Sequence, residues 1–142
     1  MGGRREGREH ALQLLFQWDL SRGSIHEVRT TFWTLNQETE AESQVFADHL
    51  SAGTVQHIDQ IDALLARHTE HWRIPRMAVV DRNVLRLSTF ELLFENQTPR
   101  VVAINEALEI ARKFSTSESI QFINGILDSI RKELEPQESE QP

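Results

Sequence analysis

From Arg4 to Leu134 the apolar residues of this chain return at steps of three and four, and no stretch alternates apolar with polar residues as a half-buried strand would. That pattern confines the fold to packed helices. In the first segment Ala11, Leu12, Leu15, Trp18 and Leu20 gather on one face among good helix formers, and Gly23 closes the pattern, so the spacing predicts a helix over 4–20. Ser24 is placed to cap a short second helix carrying Ile25, Val28, Phe32 and Leu35, with polar Asn36 to Thr39 as the following loop. Between Ala41 and His68 the set Ala47, Leu50, Thr54, Ile58, Ile61 and Leu65 predicts one long helix, bent near Gly53.

Pro75 interrupts this run, since it lacks an N–H and fixes its own φ. The next helix, over 77–95, is apolar on more than one side: Val80, Val84, Leu87 and Phe94 share one face, Leu85 and Leu92 another. A helix greasy on two sides belongs at the centre. Thr98 and Pro99 read as N-cap and first position of a sixth segment with Val101, Ile104, Leu108 and Ala111. Ser115 and Glu118 have capping-box spacing before a last helix striped by Ile120, Ile123, Leu127, Ile130 and Leu134. The expectation is an all-α protein, one compact domain of six to seven helices over 1–134, followed by an acidic, disordered tail over 135–142.

Composition removes whole classes of function. The 142-residue chain has no cysteine, so disulfides, thiolate nucleophiles and sulfur-ligated zinc are excluded. No apolar run is long enough for a signal peptide core or a membrane span, which leads us to expect a cytoplasmic protein. Phosphate-binding GxxxxGK, GxGxxG, GxSxG and HExxH patterns are missing, and no enzyme or cofactor is expected. His68 and His71 stand three apart, but histidines at a helix end are more simply read as complementing its dipole, so no metal site is assigned. The pairs Asp59/Asp62 and Glu91/Glu95 read as solvated helix faces rather than acid/base dyads. The net charge is -7, but the stretch from Glu133 to Pro142 holds four glutamates and no basic residue; without it the charge would be -3.

What remains is a binding pattern. Arg4 and Arg8 are one helical turn apart and Arg5 extends the same basic end, so their guanidinium forks could hold successive phosphates, or could simply solubilise an N-terminal arm. Arginines at a helix start oppose the dipole, a cost that a polyanionic partner would offset. Phe122 lies about 100° off the stripe through Ile123 and Leu127, suited either to stack an unpaired base or to join Ile126 on a wide apolar face. Beside it Asn124 offers an amide. Gly125 costs about 1 kcal/mol relative to Ala inside a helix, and close helix packing is the simplest reason for it.

The segments RREGREHALQLLF (from Arg4), VLRLSTFEL (from Val84), AINEALEIARKF (from Ala103) and FINGILD (from Phe122) together resemble the NusB family of transcription antitermination factors, over about residues 4–134. The resemblance implies a helical fold of two packed sub-bundles. It also implies binding of boxA, a short single-stranded element of leader and ribosomal RNA, with Arg4, Arg5, Arg8, Gln13 and Phe122 as contacts and Gln121 and Asn124 as further candidates. It implies a protein partner, the small-subunit ribosomal protein NusE, met by Asp81 and Phe16, and an indirect link to elongating RNA polymerase. The expected function is promotion of antitermination, notably in ribosomal-RNA transcription. The competing reading, from a different class, is a helical interaction scaffold, for example a homodimer that masks its own basic face. A third, the RNA-binding module of ribosomal-RNA cytosine methyltransferases, lacks its catalytic domain and cysteine here.

Overall fold

The computed structural model describes residues 3–69 and 73–139, of which 136–139 are described in backbone only. Among them run seven α-helices, α1 (Gly3–Ser21), α2 (Ile25–Leu35), α3 (Ala41–Gln56), α4 (Ile58–His68), α5 (Val79–Phe94), α6 (Arg100–Phe114) and α7 (Ser117–Ser139), with one 3-10 turn (Ile74–Arg76) around Pro75. They form two groups. Helices α1, α2 and α3 pack on one another, α4, α6 and α7 surround α5, and α5 also touches α1 and α3, joining the halves.

The central position expected for the fifth helix is what the structure shows. Eleven of the sixteen residues of α5 are buried, a share too large for a one-sided amphipathic helix. The core is continuous across both groups, from Leu14, Leu15 and Leu50 through Leu85 and Leu87 to Ile123, Leu127 and Ile130. Two glycines set the closest crossings. A Cβ on Gly7 would stand 2.9 Å from the Phe46 ring, and one on Gly53 would stand 2.3 Å from Phe90, so only a hydrogen lets α1 meet α3 and α3 meet α5.

Several ends differ from expectation. Helix α1 stops at Arg22, which adopts the left-handed conformation (φ 57°) and donates its N–H to the Trp18 carbonyl at 3.1 Å; Gly23 has no positive φ. The long helix over 41–68 is two helices, parted at His57 rather than at Gly53, whose role is the close approach to Phe90. The His57 ring stacks on Phe94 with centroids 4.3 Å apart, which fixes the joint between α3 and α4. Ser24 does cap α2, accepting the Glu27 N–H at 3.1 Å. At α6 the cap position falls on Pro99, one residue later than Thr98. At α7 Thr116, not Ser115, accepts the Ser119 N–H at 3.2 Å, because the Ser115 hydroxyl is taken by Asp81. Helix α7 runs on to Ser139, past the boundary expected at 134, and residues 140–142 lie outside the described residues.

Candidate nucleic-acid interface

The three arginines at the start of α1 have three different environments. Arg4 is exposed, with its guanidinium carbon 4.3 Å from the centroid of the Phe46 ring, a cation over an aromatic face. Arg5 is exposed and forms a two-pronged bond to Glu106 of α6, both contacts 3.0 Å. Those bonds and the Arg5 charge hold the Glu106 carboxyl below its usual range, against the opposing pull of partial burial. Such an exposed pair is weak enough for a phosphate to displace Glu106.

Arg8 departs from the expectation that it shares a phosphate-gripping face with Arg4. It is 4% exposed and bonds Glu91 of α5 through contacts of 2.8, 2.9 and 3.1 Å. Helical spacing was right about the turn but not about the depth, because Gly7 lets this end of α1 sink between α3 and α5. Glu91 is likewise no solvated residue. Burial pushes its carboxyl above the usual range, while the Arg8 bonds and charge pull it down. Arg8 therefore anchors the helix that carries Arg4 and Arg5.

Asp81 stands in the first turn of α5, where negative charge complements the helix's positive end. It is largely withdrawn from solvent: it is 9% exposed, and its two oxygens accept the hydroxyls of Ser115 at 2.5 Å and Ser119 at 2.7 Å. Those bonds tie the start of α7 to α5. One turn along α7, Phe122 is half-buried and packs against the core, while Gln121 and Asn124 are exposed. Phe122 and Asp81 share a pocket of about 320 Å³ with Arg76, Met77, Glu118 and Ser119. Gln13 and Phe16 are half-buried on α1.

The structure thus gathers Phe122 and Asp81 at one place and leaves Arg4 and Arg5 at another. Helix α6 connects them. Arg5 meets Glu106 and Glu9 meets Lys113 at 2.9 Å, so α1 and α6 run side by side in the same direction toward the α6–α7 junction. From Glu106 to Phe114 the rise is roughly 12 Å. Sequence reasoning passed over the exposed Arg112 and Lys113 on this edge, and Arg76 in the pocket. Arg112 and Lys113 fall at the favourable C-terminal end of α6, a signal that the RKF of its last turn carried. Nothing in the sequence places Arg76 near Phe122.

Other candidates find internal roles. The His68 ring contacts Ser129 Oγ at 2.7 Å and Glu133 at 3.2 Å, and His71 lies outside the described residues. Asp62 accepts two 2.9 Å bonds from Arg86, which also reaches Asp19 at 3.1 Å. No helix among the described residues is long and apolar enough to cross a membrane. A Cβ built on Gly125, within the FINGILD segment, meets no atom of the described residues within 4 Å, so packing among them does not account for it.

Comparison with known proteins gives one consistent result. The model of the NusB family matches residues 5–132. The transcription antitermination protein NusB of Koribacter versatilis is 48% identical, covering 94% of this chain and 92% of its own length. That of Myxococcus xanthus is 42% identical, covering 92% and 95%. Among solved structures, T. maritima NusB superposes with a TM-score of 0.86 at 39% identity over 95% of this chain and 94% of that one. The crystal structure of antitermination factors NusB and NusE in complex with dsRNA contains a chain that superposes at 0.85 with 26% identity, covering 94% and 98%. With a match across nearly its whole length and the same helical architecture, this chain belongs to the NusB family.

Proposed function

We propose that this protein is a cytoplasmic RNA-binding antitermination factor that catalyses nothing and acts by assembly. Together with NusE it holds a boxA-type RNA as the transcript emerges, keeping that RNA tethered to elongating polymerase so that termination is suppressed, notably on ribosomal-RNA operons. Tethering raises local concentration, which lets modest contacts act in concert. The observation that carries this reading is the likeness, over 94% of the chain, to a protein crystallised with NusE and RNA. The geometry is compatible: Arg4 and Arg5 offer exposed guanidinium groups, and Phe122 offers an aromatic edge at the start of α7, with Gln121 and Asn124 beside it. Gln13, half-buried on α1 two turns beyond Arg5, is proposed to add a contact. Asp81 and Phe16 are proposed to face NusE.

The test is fluorescence anisotropy with a labelled boxA RNA, a scrambled RNA and a boxA duplex, each with and without NusE. Selective binding of the single strand that strengthens with NusE is the expected result. Binding that prefers the duplex would move the site away from base stacking on Phe122. Equal binding of boxA and scrambled RNA, even with NusE, would leave a helical scaffold in its place, and light scattering would then show whether a homodimer covers the basic end.

A further inference from the structure

Along the edge where α1 meets α6, cations and carboxylates are already joined to one another. Arg5 holds Glu106 through two contacts of 3.0 Å, Lys113 holds Glu9 at 2.9 Å, and Arg112 pairs with Glu109 one turn earlier on its own helix. All three cations are more than half exposed, yet these six side chains together present no net charge to an approaching polyanion.

Anchoring the helices does not explain the Arg5 pair. The start of α1 is already fixed by the buried Arg8–Glu91 bonds and by the close crossing of Gly7 on Phe46, and exposed ion pairs as a class shift a folding equilibrium by about fivefold at most. The geometry says more. Glu106 accepts from Nε and Nη2 of Arg5, the side of the guanidinium fork that also receives two oxygens of a phosphate, so carboxylate and phosphate cannot occupy that side together. The charges of Glu109 and Glu9 act on Arg5 as well, adding to the negative field that a phosphate must enter.

We propose that Glu106 is a specificity-determining residue of the RNA interface, a carboxylate that fills the phosphate seat of Arg5 until RNA displaces it, with Glu9 and Glu109 keeping the rest of the edge neutral. This rests on the RNA-binding function proposed above and adds to it a competitor built into the protein. Phosphate contact at Arg5 is offset by the loss of Glu106, so an RNA that offers phosphates alone gains little. Strands without the right bases are shed, and boxA is kept by base contacts and by NusE.

The test is anisotropy with labelled boxA and scrambled RNA on full-length Glu106→Gln, whose amide keeps the size of the side chain and an acceptor but not the charge. Glu6→Gln is the control, since Glu6 follows Arg5 in α1, is exposed, and lines a different pocket with His10 and the loop after α2. Glu106→Gln should leave Tm within about 3 °C and tighten both RNAs by about threefold. Glu6→Gln should change either affinity by less than about 1.5-fold. Equal tightening in the two variants would reduce the effect to general repulsion and overturn the role of Glu106. Unchanged or weakened binding in Glu106→Gln would make the carboxylate a bystander or a support for Arg5, and overturn it too. Failure of both the unaltered protein and Glu106→Gln to bind boxA, even with NusE, would instead remove the RNA-binding reading beneath.

Discussion

The Arg8 guanidinium and the Glu91 carboxylate meet at 2.8 Å between α1 and α5, with both residues less than 5% exposed. A buried pair of this kind is costly to break but not costly to replace, because removing one partner strands the other charge away from water. Arg8→Ala should lower stability by about 3–5 kcal/mol, with Tm falling roughly 10–20 °C. The double change Arg8→Met with Glu91→Leu should recover most of that loss and keep RNA affinity. Thermal melts and anisotropy on the same samples check both, and a double variant that folds but no longer binds would return Arg8 to the interface.

Removing Asp81 strands two serine hydroxyls and frees the first turn of α7. Asp81→Ala should cost about 1–3 kcal/mol. It should also weaken boxA binding in the absence of NusE, since Phe122 follows one turn later. Ser115→Ala with Ser119→Ala should reproduce that effect. If Asp81→Ala changes binding only when NusE is present, its role is contact with the partner and not the positioning of α7.

Salt dependence counts the phosphates held. For a single strand each neutralised phosphate contributes about -0.7 to the logarithmic salt slope. With Arg8 internal, Arg4 and Arg5 predict a slope of about -1.4, falling to about -0.7 in Arg4→Ala. A slope near -2 would mean a third cation in contact, and Arg112→Ala and Lys113→Ala would show whether it lies on the α6 edge. A slope near zero contradicts the assignment of the arginines.

Acid should act through Asp19. Burial pushes its carboxyl up, but bonds from Arg82 at 2.6 Å and Asn83 at 2.9 Å, with the charges of Arg86 and Arg82, bring it below the usual aspartate range. A carboxyl lowered on folding adds stability that is complete above its unfolded value and lost as pH falls through its folded one. Asp19→Asn should therefore be less stable at neutral pH and lose less on acidification. Urea titrations between neutral and strongly acidic pH measure the difference in slope, and parallel curves would contradict the assignment.

Much of the architecture was legible because it depends on period. The stripes of α1, α5 and α7 and the Ser24 cap follow from residues near in sequence, and so does the central place of α5. What escaped depended on partners far along the chain. Nothing local tells Ser115 that Asp81 will claim its hydroxyl, so Thr116 takes over the cap. The turn geometry of Arg4 and Arg8 was readable, but the depth to which Gly7 lets α1 sink is set by Phe46, which lies on another helix. For Gly125 the ordinary explanation of a helical glycine is close packing, and among the described residues no atom stands within 4 Å of a Cβ built there.

Helix α5 speaks to three of its neighbours in three different polar languages. Glu91 answers an arginine on α1, Asp81 two serines around the start of α7, and Arg86 an aspartate on α4. Leucines and isoleucines would let these helices slide or trade places at little cost; these three matches do not, since any other arrangement strands a charge. The core supplies cohesion, and the polar residues of α5 act as the address labels that send α1, α4 and α7 each to its own side.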